Sequence, residues 1–171
     1  MTPLRSPLRQ AVRPAFCRMA ALLITLGASA QQRPDLMPLP QHLAWNGEQH
    51  RLDNRFAIGI SGDADPRIYA EASRFLQRLA ERTGIFFKTW NVAPADKPLQ
   101  PRLQIHTDRK GIVQHGMDES YTLDVRQVQV SLHANTDVGA IRGLETLLQL
   151  IAADDDGYYL RGGRITDSPR F

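Results

Sequence analysis

The segment Tyr121-Thr122-Leu123-Asp124-Val125-Arg126-Gln127-Val128-Gln129-Val130-Ser131-Leu132-His133-Ala134-Asn135-Thr136-Asp137-Val138-Gly139-Ala140-Ile141-Arg142-Gly143-Leu144-Glu145-Thr146-Leu147-Leu148-Gln149-Leu150 decides the reading of the fold. Tyr121, Leu123 and Val125, then Val128, Val130, Leu132 and Ala134, alternate with polar residues. That is the pattern of strands over 121–125 and 128–134 with one buried and one polar face. Arg126-Gln127 between them predicts a tight hairpin, although it lacks the glycine such turns prefer. Beyond Thr136 the period becomes helical. Val138, Ile141, Leu144, Leu148 and Ile151 make an apolar stripe, widened by Leu147 and Leu150, with Arg142, Glu145 and Gln149 opposite. Thr136 suits the cap, and Asp137 sets negative charge at the positive end of the helix dipole. Gly139 stands where a capping-box glutamate would, so the cap is partial. The run Asp154-Asp155-Asp156-Gly157 is expected to end this helix, and residues 158–165 to form a last strand.

Working outward, residues 31–40 are rich in proline and polar residues and read as an extended lead-in. Phe56, Ile58 and Ile60 alternate with small residues, which predicts a strand over 56–60. Asp65-Pro66 then supplies an N-cap residue and a proline at the first helical position, where its missing N–H costs nothing. Ile68, Ala72, Phe75, Leu76 and Leu79 share one helical face; Glu71, Arg74, Arg78 and Glu81 share the solvated one. Gly84 is expected to end this helix in the left-handed conformation. Residues 85–90 and 103–107 read as further strands, separated by the proline-containing loop 91–101. The pattern is α+β, a mainly antiparallel sheet with two helices on one face.

Of the 171 residues, 42% are hydrophobic and 23% charged, the proportions of a globular domain. The formal charge of +3 is misleading. Arg5, Arg9, Arg13 and Arg18 lie in an acid-free first thirty residues; without them 17 basic residues face 18 acidic ones, a net of −1. A chain so balanced offers no concentrated positive field for nucleic acid or anionic membrane. The four arginines precede the apolar run 19–26 and the small-residue site Ala28-Ser29-Ala30. This arrangement predicts a secretory signal peptide over 1–30, cleaved after Ala30, with no membrane anchor thereafter and a periplasmic or secreted location. Cys17, the only cysteine, precedes the apolar run, which disfavours a lipoprotein and leaves the mature chain without disulfides.

Candidate chemistry is sparse. Asp118-Glu119, after His115-Gly116-Met117, resembles an acid pair. It leads straight into the strand at Tyr121, where neighbouring side chains diverge, and a polar turn lacks the walls that separate two pKa values. Asp154–Asp156 with Gly157 hints at calcium but has alanine at position 152 and no twelfth-position glutamate. His42, His50, His106, His115 and His133 show no metal-binding spacing, and His106 and His133 read as ordinary sheet residues. Trp45, Trp90, Tyr158 and Tyr159 are better suited to core or interface than to sugar stacking. The expectation is therefore no catalytic, substrate-binding or metal residue and no cofactor.

Three blocks carry a resemblance: Tyr121-Thr122-Leu123, the helix Gly139-x-x-x-Gly143-x-x-Thr146-Leu147-x-Gln149-Leu150, and Ile165-Thr166-Asp167-Ser168-Pro169-Arg170-Phe171. In this order and spacing they resemble the end of the N-terminal domain of bacterial family 20 β-N-acetylhexosaminidases; Met37-Pro38-Leu39-Pro40 resembles its opening more weakly. The resemblance implies an accessory domain over 31–163 with zincin-like topology but no metal site. It also implies a linker over 164–171 and a catalytic (β/α)₈ barrel as partner in cis. The parent enzyme would release terminal N-acetylglucosamine or N-acetylgalactosamine during carbohydrate breakdown. Its catalysis would be substrate-assisted and retaining, the 2-acetamido group serving as nucleophile. The barrel's sugar-gripping arginine would come immediately after Phe171, so this chain is expected to stop short of the catalytic residues and to be inactive alone. The competing expectation is a stand-alone exported carbohydrate- or protein-binding module.

Overall fold

A computed structural model of the chain describes residues 36–88, 90–96 and 100–168. The leader with Cys17, the first part of the lead-in and Pro169-Arg170-Phe171 lie outside the described residues. The local signals around the first helix act as expected. Asp65 accepts from the Arg67 N–H at 3.0 Å, Pro66 opens α1 (Pro66–Thr83), and Gly84 closes it at φ 70° with its N–H on the Ala80 carbonyl. Ile68, Ala72, Phe75, Leu76 and Leu79 are all buried. Thr136 caps α2 (Asp137–Gln149) through a 3.2 Å bond from the Gly139 N–H.

The strands are β1 (His42–Arg51), β2 (Ile58–Gly62), β3 (Val92–Pro94), β4 (Leu103–Arg109), β5 (Tyr121–Val125), β6 (Val130–Thr136), β7 (Ile151–Asp154) and β8 (Gly157–Asp167). They form one sheet in the order β1-β8-β5-β6-β4-β2-β3, and β7 pairs with the first part of β8. Among the described residues the sheet is antiparallel from β1 to β6 and parallel from β6 to β3. The parallel block follows from α1, whose length carries the chain back so that β3 and β4 both run beside β2 in the same direction. Both helices lie on one face: α2 packs on β4, β5 and β6, and α1 packs on α2 and β3. The core between them is built from Phe56, Ile58, Ile60, Leu103, Ile105, Leu123, Leu132, Leu147 and Leu148 with the apolar face of α1.

Several boundaries differ from the sequence reading. The strand expected over 85–90 is not formed at residues 85–88 or 90: Phe86 and Trp90 are exposed, and the Asn91 N–H donates to the Lys88 carbonyl ahead of the short edge strand β3. Asn91, buried, donates its amide to the Phe56 carbonyl at 2.9 Å and so ties this turn to the start of β2. Val128 is 82% exposed because the hairpin turn spans 126–129, and β6 begins only at Val130. The helix α2 stops at Gln149, and Asp154–Gly157 is instead the β7–β8 turn.

The buried face of α2 is also rotated from the expected stripe. Gly139, Ala140, Gly143, Leu144, Leu147 and Leu148 are buried, whereas Val138 and Ile141 lie on the flanks. The two glycines explain it. A Cβ at Gly139 would overlap the Ser120 carbonyl oxygen, and one at Gly143 would overlap Leu132. The helix therefore approaches β5 and β6 through its smallest residues. Strand β1 was missed because Asn46-Gly47-Glu48 resembles a turn. It is a bulge within β1, where the pairing register with β8 shifts, and Gly162 leaves room for it.

Candidate functional site

The carboxylates with catalytic appearance point to different partners. Asp118 accepts from the Ser120 N–H at 3.0 Å and from the Ser120 hydroxyl, while its other oxygen accepts from Asn135 at 2.9 Å. These side-chain hydrogen bonds from Ser120 and Asn135 hold the Asp118 carboxyl below its usual range. Glu119 turns the other way and receives two bonds from the Arg142 guanidinium of α2, at 2.9 and 3.1 Å. Its side chain is only 12% exposed. The Asp118 carbonyl also accepts from the Thr136 hydroxyl at 2.6 Å. The turn thus joins the start of β5 to the start of α2, and its two acids do not converge on a shared space.

Asp154, in the β7–β8 turn, forms a two-pronged ion pair with Arg51, and the Asp156 N–H closes the turn on its Oδ1 at 3.0 Å. The hydrogen bond from Arg51 keeps the Asp154 carboxyl low. Arg51 also lies 5.1 Å from the centre of the Tyr159 ring. The aromatic residues do not assemble. Trp45 is on the edge strand β1 and Trp90 beside β3 at the opposite edge of the sheet, while Tyr158 and Tyr159 belong to β8.

Sequence reading missed the role of Asp137. It is fully buried and pairs with Arg67 of α1, which also donates to the Gly111 carbonyl; the Gly111 N–H donates back to Asp137 at 2.6 Å. This group fastens both helix N-termini to the loop after β4. It was invisible because its members are 26 to 70 residues apart. Arg78 and Glu145, expected on solvated faces, pair between the helices, and Arg82 donates to the Leu148 carbonyl at 2.8 Å.

Two of the histidines stand out. His50 is completely buried, with Nδ1 3.0 Å from the Arg126 carbonyl and Nε2 without a hydrogen-bond partner among the described residues. Burial lowers its pKa, against the contrary effect of the Arg126 carbonyl. Its ring meets Phe56 edge-on. On the open face of the sheet, His106 of β4 lies opposite His133 of β6, near Asp108. The alternation His106-x-Asp108 was the available signal, but the partner strand is set only by tertiary pairing. The apolar cleft of about 410 Å³ between α1 and residues 86–88 and 92 is lined by Leu76, Ala80, Phe86, Phe87 and Val92, with no carboxylate among the described residues around it. No helix of the described residues is long and apolar enough to cross a membrane.

Comparison with known proteins gives a consistent picture. A family model described as beta-acetyl hexosaminidase like matches residues 36–150. The rat beta-hexosaminidase subunit alpha is 27% identical over 170 residues, covering 92% of this chain and 31% of the relative. The human beta-hexosaminidase subunit beta is 34% identical over 93 residues, covering 50% of this chain and 17% of the relative. A chitobiase from Flavobacterium johnsoniae superposes with a TM-score of 0.75 at 40% identity, over 80% of this chain and 21% of that one. An exo beta-N-acetylglucosaminidase from Vibrio harveyi, at 21% identity and a TM-score of 0.58, shares the fold. This chain therefore spans about a third or less of the length of these proteins.

Proposed function

The chain belongs to the beta-acetyl hexosaminidase-like family and matches the N-terminal domain of its glycosidases, and on that premise we propose that it is a non-catalytic scaffold for a catalytic barrel in cis. The whole protein would remove terminal N-acetylglucosamine or N-acetylgalactosamine from carbohydrate, with the substrate's own acetamido group as nucleophile. The observation that carries the non-catalytic part is the spending of Asp118 and Glu119 on separate structural partners. A glycosidase needs two groups flanking one bond, and these two face different elements. The domain is proposed to be exported on the leader 1–30 and to act in the periplasm or medium. Because β8 keeps residues 164–167 paired within the sheet, the folded domain is proposed to run on from the expected limit at 163 to Asp167, with the link to the barrel after it.

The test compares purified residues 1–171 with a chimera in which a related enzyme's barrel follows Phe171. The chain alone should release no aglycone from an aryl N-acetylglucosaminide. An active chimera should keep its rate, within a factor of about two, when Glu119 becomes Gln, whereas losing a true proton donor costs on the order of a hundredfold. Turnover by the chain alone, abolished by Glu119→Gln, would overturn the assignment. Tight calorimetric binding of N-acetylglucosamine oligomers by the chain alone would favour the stand-alone binding module instead. For export, the recovered protein should begin at Gln31.

A further inference from the structure

The face of the sheet turned away from the helices carries a group that the glycosidase reading does not use. Strands β4 and β6 are parallel neighbours, with His106 directly opposite His133. Alternation sends Leu103, Ile105 and Thr107 of β4, and Val130, Leu132 and Ala134 of β6, to the helix side. His106, Asp108 and His133 therefore share the open side, and all three are exposed. The imidazole rings stack, with centroids 5.3 Å apart and planes 11° from parallel. Asp108 Oδ1 lies 3.1 Å from His133 Nε2 and 3.4 Å from His106 Nε2. Donors around one cation at bonds of about 2.0–2.2 Å stand roughly 3–3.5 Å from one another, the spacing these two contacts show.

A second observation bears on the orientation of the His106 ring. The Ser61 hydroxyl donates to the Ile105 carbonyl at 3.2 Å, and its oxygen is 3.0 Å from His106 Nδ1. The Ser61 contact engages the ring nitrogen away from Asp108 and leaves Nε2 as the nitrogen turned toward Asp108. A partner on the far ring nitrogen is also how metal-binding histidines are oriented.

We propose that His106, Asp108 and His133 bind one divalent transition cation, with zinc the best match. Two imidazoles and a carboxylate without thiolate suit zinc, and exposure leaves the remaining positions to water. The ion would clip β4 to β6 on the side of the sheet away from α1 and α2. The proposal is independent of the glycosidase reading, because none of the three residues enters it.

The test is calorimetric titration of the untagged full chain, carrying Cys17→Ser to remove its thiol, with zinc. One saturable equivalent is expected. The double variant His106→Gln, His133→Gln should abolish it, and Ser61→Ala should weaken it about tenfold without touching a ligand. A His42→Gln, His115→Gln control should bind as the parent does. Circular dichroism checks that each variant is folded. Should the double variant fail to fold, the parent chain answers alone: cobalt(II) should shift the imidazole resonances of His106 and His133 and spare those of His50. No saturable zinc binding, undiminished binding by a folded double variant, or equally strong binding of magnesium would overturn the proposal.

Discussion

The two faces of the sheet are made by the same strands and obey different physics. Along β6, Val130, Leu132, Ala134 and Thr136 are buried beneath α2, while Ser131, His133 and Asn135 between them are exposed. The covered face is held by close approach: helix glycines against β5 and β6, and Asp137 buried beneath the loop at Gly111 with the half-exposed Arg67 across it. The open face is held by polar contacts in water. A substitution on the first should be felt through packing and desolvation, and one on the second through little beyond its own side chain.

The largest effect should come from Asp137→Ala. It removes the fully buried member of the ion pair, leaves the Gly111 N–H without its acceptor, and leaves the half-buried Arg67 with only the Gly111 carbonyl and the more distant Asp65. A loss of about 3 kcal/mol is expected in denaturant unfolding. A loss below about 1 kcal/mol would mean that the covered face is no more demanding than the open one. Gly139→Ala should follow at about 2 kcal/mol, because its methyl group would press on the Ser120 backbone rather than on a movable side chain.

Acid should separate the faces more finely. The His50 pKa is lowered mainly by burial, with Arg102 adding to the effect and Asp53 opposing it. Between that lowered value and the ordinary pKa near 6.5, the unfolded chain holds a proton that the folded chain refuses. Stability should therefore fall as pH drops below about 6.5, by at most about 1.4 kcal/mol per pH unit. His50→Leu should flatten that slope in thermal melts. Asp118 has a lowered pKa, so its contribution is present above about 3.9 and is lost only as pH falls further, a separate window. The smallest effect belongs to the open face: Gln104→Ala, on the exposed side of β4, should change stability by no more than about 0.5 kcal/mol.

Legibility divided along the same line. The first helix was readable from Asp65-Pro66 to Gly84, because its caps and its apolar period are local chemistry, and β5 was readable to both ends. The strand expected over 85–90 failed at 85–88 and 90 because apolar content alone does not supply a partner: among the described residues no strand covers Phe86 or Trp90. The rotation of α2 was misread for the opposite reason. A glycine adds nothing to an apolar stripe, yet at Gly139 and Gly143 the absence of a side chain decides which face touches the sheet. At the candidate sites, the divergence of Asp118 and Glu119 followed from their position at a strand entrance, whereas the Asp137–Arg67 pair had no local signal.

By itself the sequence determined where helices begin, which side of each central strand avoids water, and which family's domain the chain matches, since capping, alternation and motif spacing act over a few bonds. Only the tertiary structure decided that three strand pairings run parallel and that an aspartate in the first turn of α2 is buried against α1. It also decided that His106 faces His133. That pairing depends on the register between strands joined through a third, which no local pattern encodes because a slip of two residues would preserve every alternation and separate the two rings.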